Sequence, residues 1–512
     1  MPKRRYAVRD YDLLGRRRIY TNEKEITRDN ILDVLNHAKA IHDFNVKEMQ
    51  FLIEYERGKQ DLQRTKTIRP EIDIRVHSNI ANDIKEFKVG YNWSNPIMLI
   101  QRGDNEIHET DPEKDDKGIA ALNEALKNGS NIGYEDQCLA ESIEVCGIGH
   151  RMIDVKTSEW EDGALFELYT LDSQYAFCVY RNAPGRKKVL GVTFSENGDQ
   201  TEYTCFTPKL RFEVVGDKVT VSKNPLGRIP IVEYERSFDR TGCFERQISR
   251  MDALNILISD FTNDVAQRTQ EIWWGDNVEF QRDEKTGEIK HPRSGQWILT
   301  YSDDGKVAKI QPLSSTFDGS STLNAIQSTR SEIFQDCKVP IQYDSAGGGS
   351  TGVATDMSSG WSAAELDALK EQQMTERGKR EELMLILAAV DKVPEDILPM
   401  DSPVRQLHST DIDFHFTRRR NYDLVNKANF VSQMLAKGLN GRHVLKEAEI
   451  FPDAEQVWLD SKEMIEAIQK SALPSESSEE PADTRISADN SDQTENSPIL
   501  DGMNTEQNKV QT

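Results

Sequence analysis

Apolar residues recur at three- and four-residue intervals in some stretches of this chain and at two-residue intervals in others, and the change of period divides it. Ile31, Val34, Leu35 and Ala38 share a face, which predicts a helix from Asn30 to about Gly58. Ile80, Ile84 and Phe87, spaced four and three apart, predict a second helix from Asn79 to Gly90, with Gly90 as its stop. A third runs from Gly133 through Cys146, and Gly147-Ile148-Gly149 then turns into a strand over His150–Val155. Residues 164–235 alternate and carry turn signals at 182–185, at Asn197-Gly198 and at 215–217, so this stretch reads as β-rich. Asn224-Pro225-Leu226-Gly227 closes it ahead of the apolar run Ile229-Pro230-Ile231-Val232.

Beyond Phe244 the texture changes. No Gly or Pro interrupts 244–272, and Met251, Leu254, Ile258, Phe261 and Val265 form one stripe. That predicts a helix nearly thirty residues long, about 40 Å, ended by Trp273-Trp274-Gly275. Residues 276–313 read as strand and turn, with hairpin tips at Lys285-Thr286-Gly287 and Asp303-Asp304-Gly305. A second helix covers about Ser320–Lys338 and stops at Val339-Pro340. The Gly-, Ser- and Thr-rich loop 344–352 precedes a third, from about Val353 to Asp391, interrupted at Ser358-Ser359-Gly360. A last helical group spans about Tyr422–Ser471. Two long helices around a small β insertion suit an elongated subunit better than an enzyme.

Composition narrows the class. The 512 residues suggest about three structural units, and no run approaches the 18–20 apolar residues of a membrane helix. Nor does an apolar stretch follow the basic start, so no secretory signal is expected. Six scattered cysteines imply reduced synthesis in a cytosol. A net charge of −23 argues against a tight DNA binder with a basic face. Residues 1–18 nevertheless hold seven basic residues and two acidic ones, read as a short solvated arm or as a contact to nucleic acid. Residues 472–512 hold nine acidic and two basic residues and read as a disordered tail.

Catalytic constellations are sparse. His37 and His42 are five apart, which misses the i,i+4 geometry of a zinc helix, so no metal is expected. Asp260 and Asp264 share a helix face and could cooperate as two carboxylates, or form an acidic stripe facing solvent or a pore. The run Gly347-Gly348-Gly349-Ser350-Thr351-Gly352 invites a phosphate-loop reading, but Val353 stands where a nucleotide cradle needs Lys, and no strand precedes it. No cofactor is expected. Arg418-Arg419-Arg420 could meet a phosphate backbone or form a surface ion-pair cluster.

The order of the motifs resembles the portal proteins of tailed double-stranded DNA bacteriophages, in the branch typical of long-tailed phages of Gram-positive hosts. Tyr55-Glu56-Arg57-Gly58-Lys59-Gln60 is similar to that family's early Y-x-G-x-Q segment. Asn79-Ile80-Ala81, Ile84, Gly90-Tyr91 and Asn95-Pro96-Ile97 resemble its next helix and turn, with Asn95 where the family often has Gly. Residues 227–232 resemble the strand before the first stem helix, and Asp252, Asn255, Ser259, Asp260, Asn263 and Asp264 its polar positions. Val339-Pro340 followed by Thr351-Gly352-Val353-Ala354 resembles the family's V-P…S-G-V-A passage, with Thr351 replacing Ser.

The resemblance implies an α+β subunit with long stem helices, a β-rich clip between them, an α/β wing and a helical crown. It implies a homo-oligomeric ring, twelve copies in the virion, around a channel for double-stranded DNA. After an N-terminal arm at 1–29, the wing is expected at 30–240 and 339–425, the stem at 241–272 and 318–338, the clip at 273–317, and the crown at 426–471. The tunnel loop would comprise Gln342, Tyr343, Asp344, Ser345, Ala346, Gly347, Gly348, Gly349, Ser350 and Thr351. Asp252, Asp260 and Asp264 are candidates for the channel wall; Glu279, Arg282, Lys285, Lys290 and Arg293 are candidates for partner contacts on the clip. Expected partners are the terminase large subunit, a head-completion adaptor, and the scaffold and major capsid proteins, with no membrane. The chain is expected not to be an enzyme. A nucleotide-driven translocase using 344–352, or a hydrolase using Asp260 and Asp264, are the competing readings. A duplex must slide, and each phosphate neutralised would resist that, so an acidic wall is consistent with the charge.

Overall fold

The computed structural model describes residues 15–60, 62, 70–101, 112–157, 160, 163–198, 200–268, 273–276, 282, 285–287, 307, 309–312, 319–341, 360–418, 423–448, 450–451, 457–458 and 460–465. Helix α1 (Ile31–Glu56) buries Ile31, Val34, Leu35 and Ala38 at its start and Met49, Leu52 and Tyr55 at its end. It thus joins a β core to a helical one. Helix α2 (Ile80–Trp93) runs three residues past Gly90, the stop read from sequence, and gives way at Ser94, two residues before Pro96. One glycine inside a helix costs only about 1 kcal/mol, and the burial of Val89 and Trp93 on the same helix opposes that cost. Helices α3 (Pro112–Glu124) and α4 (Ile132–Cys146) follow. Gly147 ends α4 at φ +77, where a Cβ would lie 2.3 Å from the Arg240 carbonyl oxygen.

Strands β1 (Ile19–Thr21), β2 (Met98–Gln101), β3 (Ile148–Asp154), β4 (Glu167–Leu171), β5 (Ala176–Arg181), β6 (Lys188–Asn197), β7 (Gln200–Phe206), β8 (Leu210–Val215), β9 (Lys218–Lys223) and β10 (Ile231–Glu235) build the β-rich part. A six-stranded sheet runs β1-β5-β6-β7-β8-β9. It is antiparallel except for β1, which lies parallel to β5. Val179, Leu190, Val192, Cys205, Phe212 and Val214 pack with the first turns of α1. A second sheet, β10-β3-β4, lies against α4 and the long helix α7, Trp361–Val390.

Helix α5 (Ile248–Arg268) is preceded by a 3-10 turn at Glu245–Gln247, so the uninterrupted helix expected over 244–272 begins four residues later. Strand β11 (Trp273–Asp276) pairs antiparallel with β12 (Lys309–Pro312), and α6 (Gly319–Asp336) returns beside α5. Gly360, at φ +87, caps α7. Strand β13 (Ile412–His415) pairs antiparallel with β2, and α8 (Asp423–Ala436) and α9 (Gly441–Ala448) lie in the expected final helical group. The mixed α+β composition agrees with the sequence reading.

The solvated arm does not hold for its described part. Arg16 is buried, its guanidinium 2.6 Å from Glu245 Oε1 and 3.3 Å from Glu48 Oε2. Arg18 grips Glu235 with two hydrogen bonds, of 3.0 and 2.8 Å. The Arg17 backbone exchanges two hydrogen bonds with the Asn45 amide. Glu48 is 32 residues on, but Glu235 and Glu245, which also draw this segment in, lie more than 200 residues away, so local charge counting misses them.

Candidate functional site

The α5–α6 pair carries the features that set this chain apart from an ordinary globular domain. At its root, Ile248, Met251 and Leu254 pack with Ile333, Cys337 and Val339 against α1, α2 and α4. Further out the cover thins: Ile258 and Ile326 are partly buried, while Leu323 and Val265 are 43% and 46% exposed. Along the 18 residues of α6, Ile333 alone is buried. Arg250 crosses to Asp336 at 2.6 Å, an exposed pair.

A second stripe on α5 is polar and buried. Asn255, Ser259 and Asn263 are 1%, 0% and 1% exposed. Asn263 accepts from the Ile74 N–H at 2.8 Å and donates to the Ile74 carbonyl at 2.9 Å. Ser259 Oγ accepts from the Val76 N–H at 3.0 Å, and Asn255 Oδ1 from the Ser78 N–H at 3.0 Å. Asn255 also donates to Gln60 Oε1 at 2.6 Å. Rungs four residues apart on the helix meet rungs two apart on the segment. A helix advances about 6.0 Å in four residues, and an extended chain about 6.6 Å in two. The segment therefore runs nearly extended and antiparallel to α5, its backbone groups satisfied by side chains in place of a strand. Its sequence signal was the uncharged Asn, Ser, Asn series at i, i+4, i+8, beside the acidic positions.

Those acidic positions fall as follows. Asp252 Oδ1 accepts from the Tyr55 hydroxyl at 2.8 Å, which ties it to α1. Asp260 and Asp264 are half-buried on one side of α5. On the β insertion, Arg282 and Lys285 are exposed, and Arg282 donates to the Gly287 carbonyl at 3.4 Å. Glu279, Lys290, Arg293, the whole loop 342–351 and the Gly-rich run to Gly352 lie outside the described residues. Arg418 takes the ion-pair reading, at 2.8 Å from Glu365 and 2.6 Å from Gln372, whereas 419 and 420 lie outside.

Helix α7, which follows that loop, is anchored by buried charges that sequence reasoning did not single out. Lys88 meets Asp367 at 2.6 Å; Arg236 meets Glu144 at 2.8 Å and also Glu371, to which Asn92 donates at 2.7 Å. Burial pushes the Glu371 carboxyl up to about 8, with Arg236 opposing and Glu144 reinforcing the shift. One layer away, Arg151 and Lys379 share Asp136 at 2.7 and 2.9 Å and Glu382 at 3.1 and 3.2 Å. Burial would raise Asp136, but Lys379 and Arg151 outweigh it and hold the carboxyl below its ordinary range. Tyr234 donates to Glu382 in the same cluster.

His150, Cys178 and Glu233 offer ligand atoms within 4.8 Å of one another. Glu233 already receives Arg240 and the Tyr180 hydroxyl, and burial pushes the Cys178 thiol up. A thiol held protonated beside a neutralised carboxylate is a poor ligand set. His42, five residues from His37, is buried at 3.0 Å from the Gln174 carbonyl oxygen, and burial lowers it to about 4.

The family described as "Phage portal protein, SPP1 Gp6-like" matches residues 35–471. No curated protein matches the chain. Among solved structures, a chain from "Neck of empty GTA particle computed with C6 symmetry" is 12% identical, with a TM-score of 0.36, over 74% of this chain and 92% of that one.

Proposed function

Because this chain belongs to the phage portal proteins of the SPP1 Gp6-like family, we propose that it closes into a homo-oligomeric ring, twelve copies in the virion, at one vertex of a capsid. The ring is the conduit through which double-stranded DNA enters and later leaves. In this reading α5 and α6 are the stem, the β11–β12 insertion the clip, 342–351 the tunnel loop, and the final helices the crown. The clip, with Arg282 and Lys285 exposed, faces the terminase large subunit during filling and a head-completion adaptor afterwards; scaffold and major capsid proteins surround the wing. The chain is not itself the motor, and nucleotide hydrolysis belongs to a partner.

The observation that carries this reading is α6: a long helix with Ile333 alone buried asks for neighbours. A stable subunit interface buries about 1,200–2,000 Å² or more, and the exposed side of α6 supplies surface for it. Mass measurement with electron microscopy of the purified chain tests the reading. Closed rings with a central hole are expected; a monomer at every concentration and salt tested would sink it. DNA-stimulated ATPase activity of the pure chain would favour a translocase instead.

A further inference from the structure

Away from the stem, a groove of about 670 Å³ separates the β6 and β10 side of the body from α7. That is within the 300–1,000 Å³ range of ligand clefts. Its floor is apolar, with Ile229, Met374, Met384 and Leu385. Gly378 makes this floor possible: a Cβ there would lie 2.3 Å from the Tyr234 ring, so only glycine lets α7 press so close to β10.

The inner cations of the groove are matched. Lys188 donates to the Ile231 carbonyl and to Glu381, and Arg380 meets Glu376 and Asp413 at 2.6 and 3.0 Å. The rim is not. Arg186, Lys187 and Arg228 are exposed, with no ion pair among the described residues, and Arg377, 75% exposed, has Glu235 only at 3.9 Å. Four cations around an apolar floor, on a chain of net charge −23, define a receptor for an acidic segment that also carries large apolar side chains. A nucleic acid would want an open aromatic face, yet Tyr180, the groove's tyrosine, is turned to Glu233.

We propose that this groove seats the chain's own acidic C-terminal segment, centred on Pro498-Ile499-Leu500-Asp501-Gly502-Met503. Residues 472–512 hold nine acidic residues, and Ile499-Leu500 is their only adjacent pair of large apolar residues, with Asp501 beside it and Asp492 and Glu495 just upstream. The pair matches the floor and the acids match the rim. The 47 residues after Ile465 could span about 155 Å when extended, ample for reach. The assignment stands apart from the ring reading.

The test uses the full-length chain with a benzophenone amino acid at position 499. Photo-cross-links, mapped by mass spectrometry, are expected at Met374, Met384 or 227–229. The pair Arg228→Glu and Arg377→Glu should cut their yield about fivefold, and Arg228→Lys with Arg377→Lys should retain it. Should the charge-reversed chain fail to fold, 0.5 M salt on the parent must lower the same cross-links, because the rim charges are open to screening. Cross-links elsewhere on the chain, to a co-purifying nucleic acid or to another protein, or a yield indifferent to charge and salt, would overturn the proposal.

Discussion

Helix α7 is fastened to the body by charges, and helix α5 by neutral hydrogen bonds; both sets are buried. Around α7, Lys88, Arg236, Arg151 and Lys379 are shared among five carboxylates. Along α5, Asn255, Ser259 and Asn263 hold the backbone of 74–78 without a formal charge. The two fastenings differ in what a single loss leaves behind. Taking one member from a buried ionic cluster strands a charge in a poorly polarisable interior. Taking one rung from a neutral ladder strands a dipole, which is cheaper. A segment that must hold one position suits the first device, and one that packs in a repeating register suits the second.

The largest effect is therefore expected at Arg151. Arg151→Met leaves Asp136 and Glu382 with Lys379 as their sole close cation in the cluster and should cost about 3–5 kcal/mol, read as a fall in the urea midpoint at pH 7. A cost below about 1 kcal/mol would mean that the cluster is well solvated, and the contrast with α5 would collapse.

The next effect is one of pH. Unfolded, Glu371 releases its proton near 4.5; folded, it does so at about 8. Between those values the native chain keeps a proton that the unfolded chain has lost, so this group's contribution to stability falls as pH rises from about 5 to 8. Glu371→Gln fixes the neutral form. Its unfolding free energy should match the parent's near pH 5 and exceed it by pH 8, in urea titrations at the two values. Asp136 runs the other way: held below its ordinary range, it adds stability above that range and loses it on acidification. A parent whose stability rises steadily from pH 5 to 8, with Glu371→Gln tracking it, would break the assignment.

How much of this was legible in the sequence follows from the range of each interaction. Helices α1 and α4 could be read from apolar spacing because their burial is local and periodic, and the β6–β7 and β8–β9 hairpins from Asn197-Gly198 and Gly216, the two glycines both at positive φ. The portal resemblance was legible because its motifs keep their order along the chain. Strand β1 was not: three residues long, it exists by pairing with β5, about 160 residues on. The charged clusters were not either, since Arg151 reaches Glu382 across 231 positions, and a lone charge looks like any surface residue. On α5, the apolar stripe was visible while the role of Asn255, Ser259 and Asn263 was not, because the partners they share along 74–78 are backbone groups, which carry no sequence signal.

The smallest effect closes the comparison. Ser259→Ala removes the acceptor of the Val76 N–H and leaves that donor part-buried beside α5. The cost should be about 1–2 kcal/mol, below that of Arg151→Met, and the same at pH 5 and pH 8, since no rung titrates in that range. Hydrogen exchange at Val76 gives the local reading, because protection there should fall while Ile74 and Ser78 keep theirs through Asn263 and Asn255. If all three amides lose protection together and the cost approaches that of Arg151→Met, the rungs act as one cooperative clamp. Neutral hydrogen bonds repeated in register would then hold a segment as firmly as buried charge.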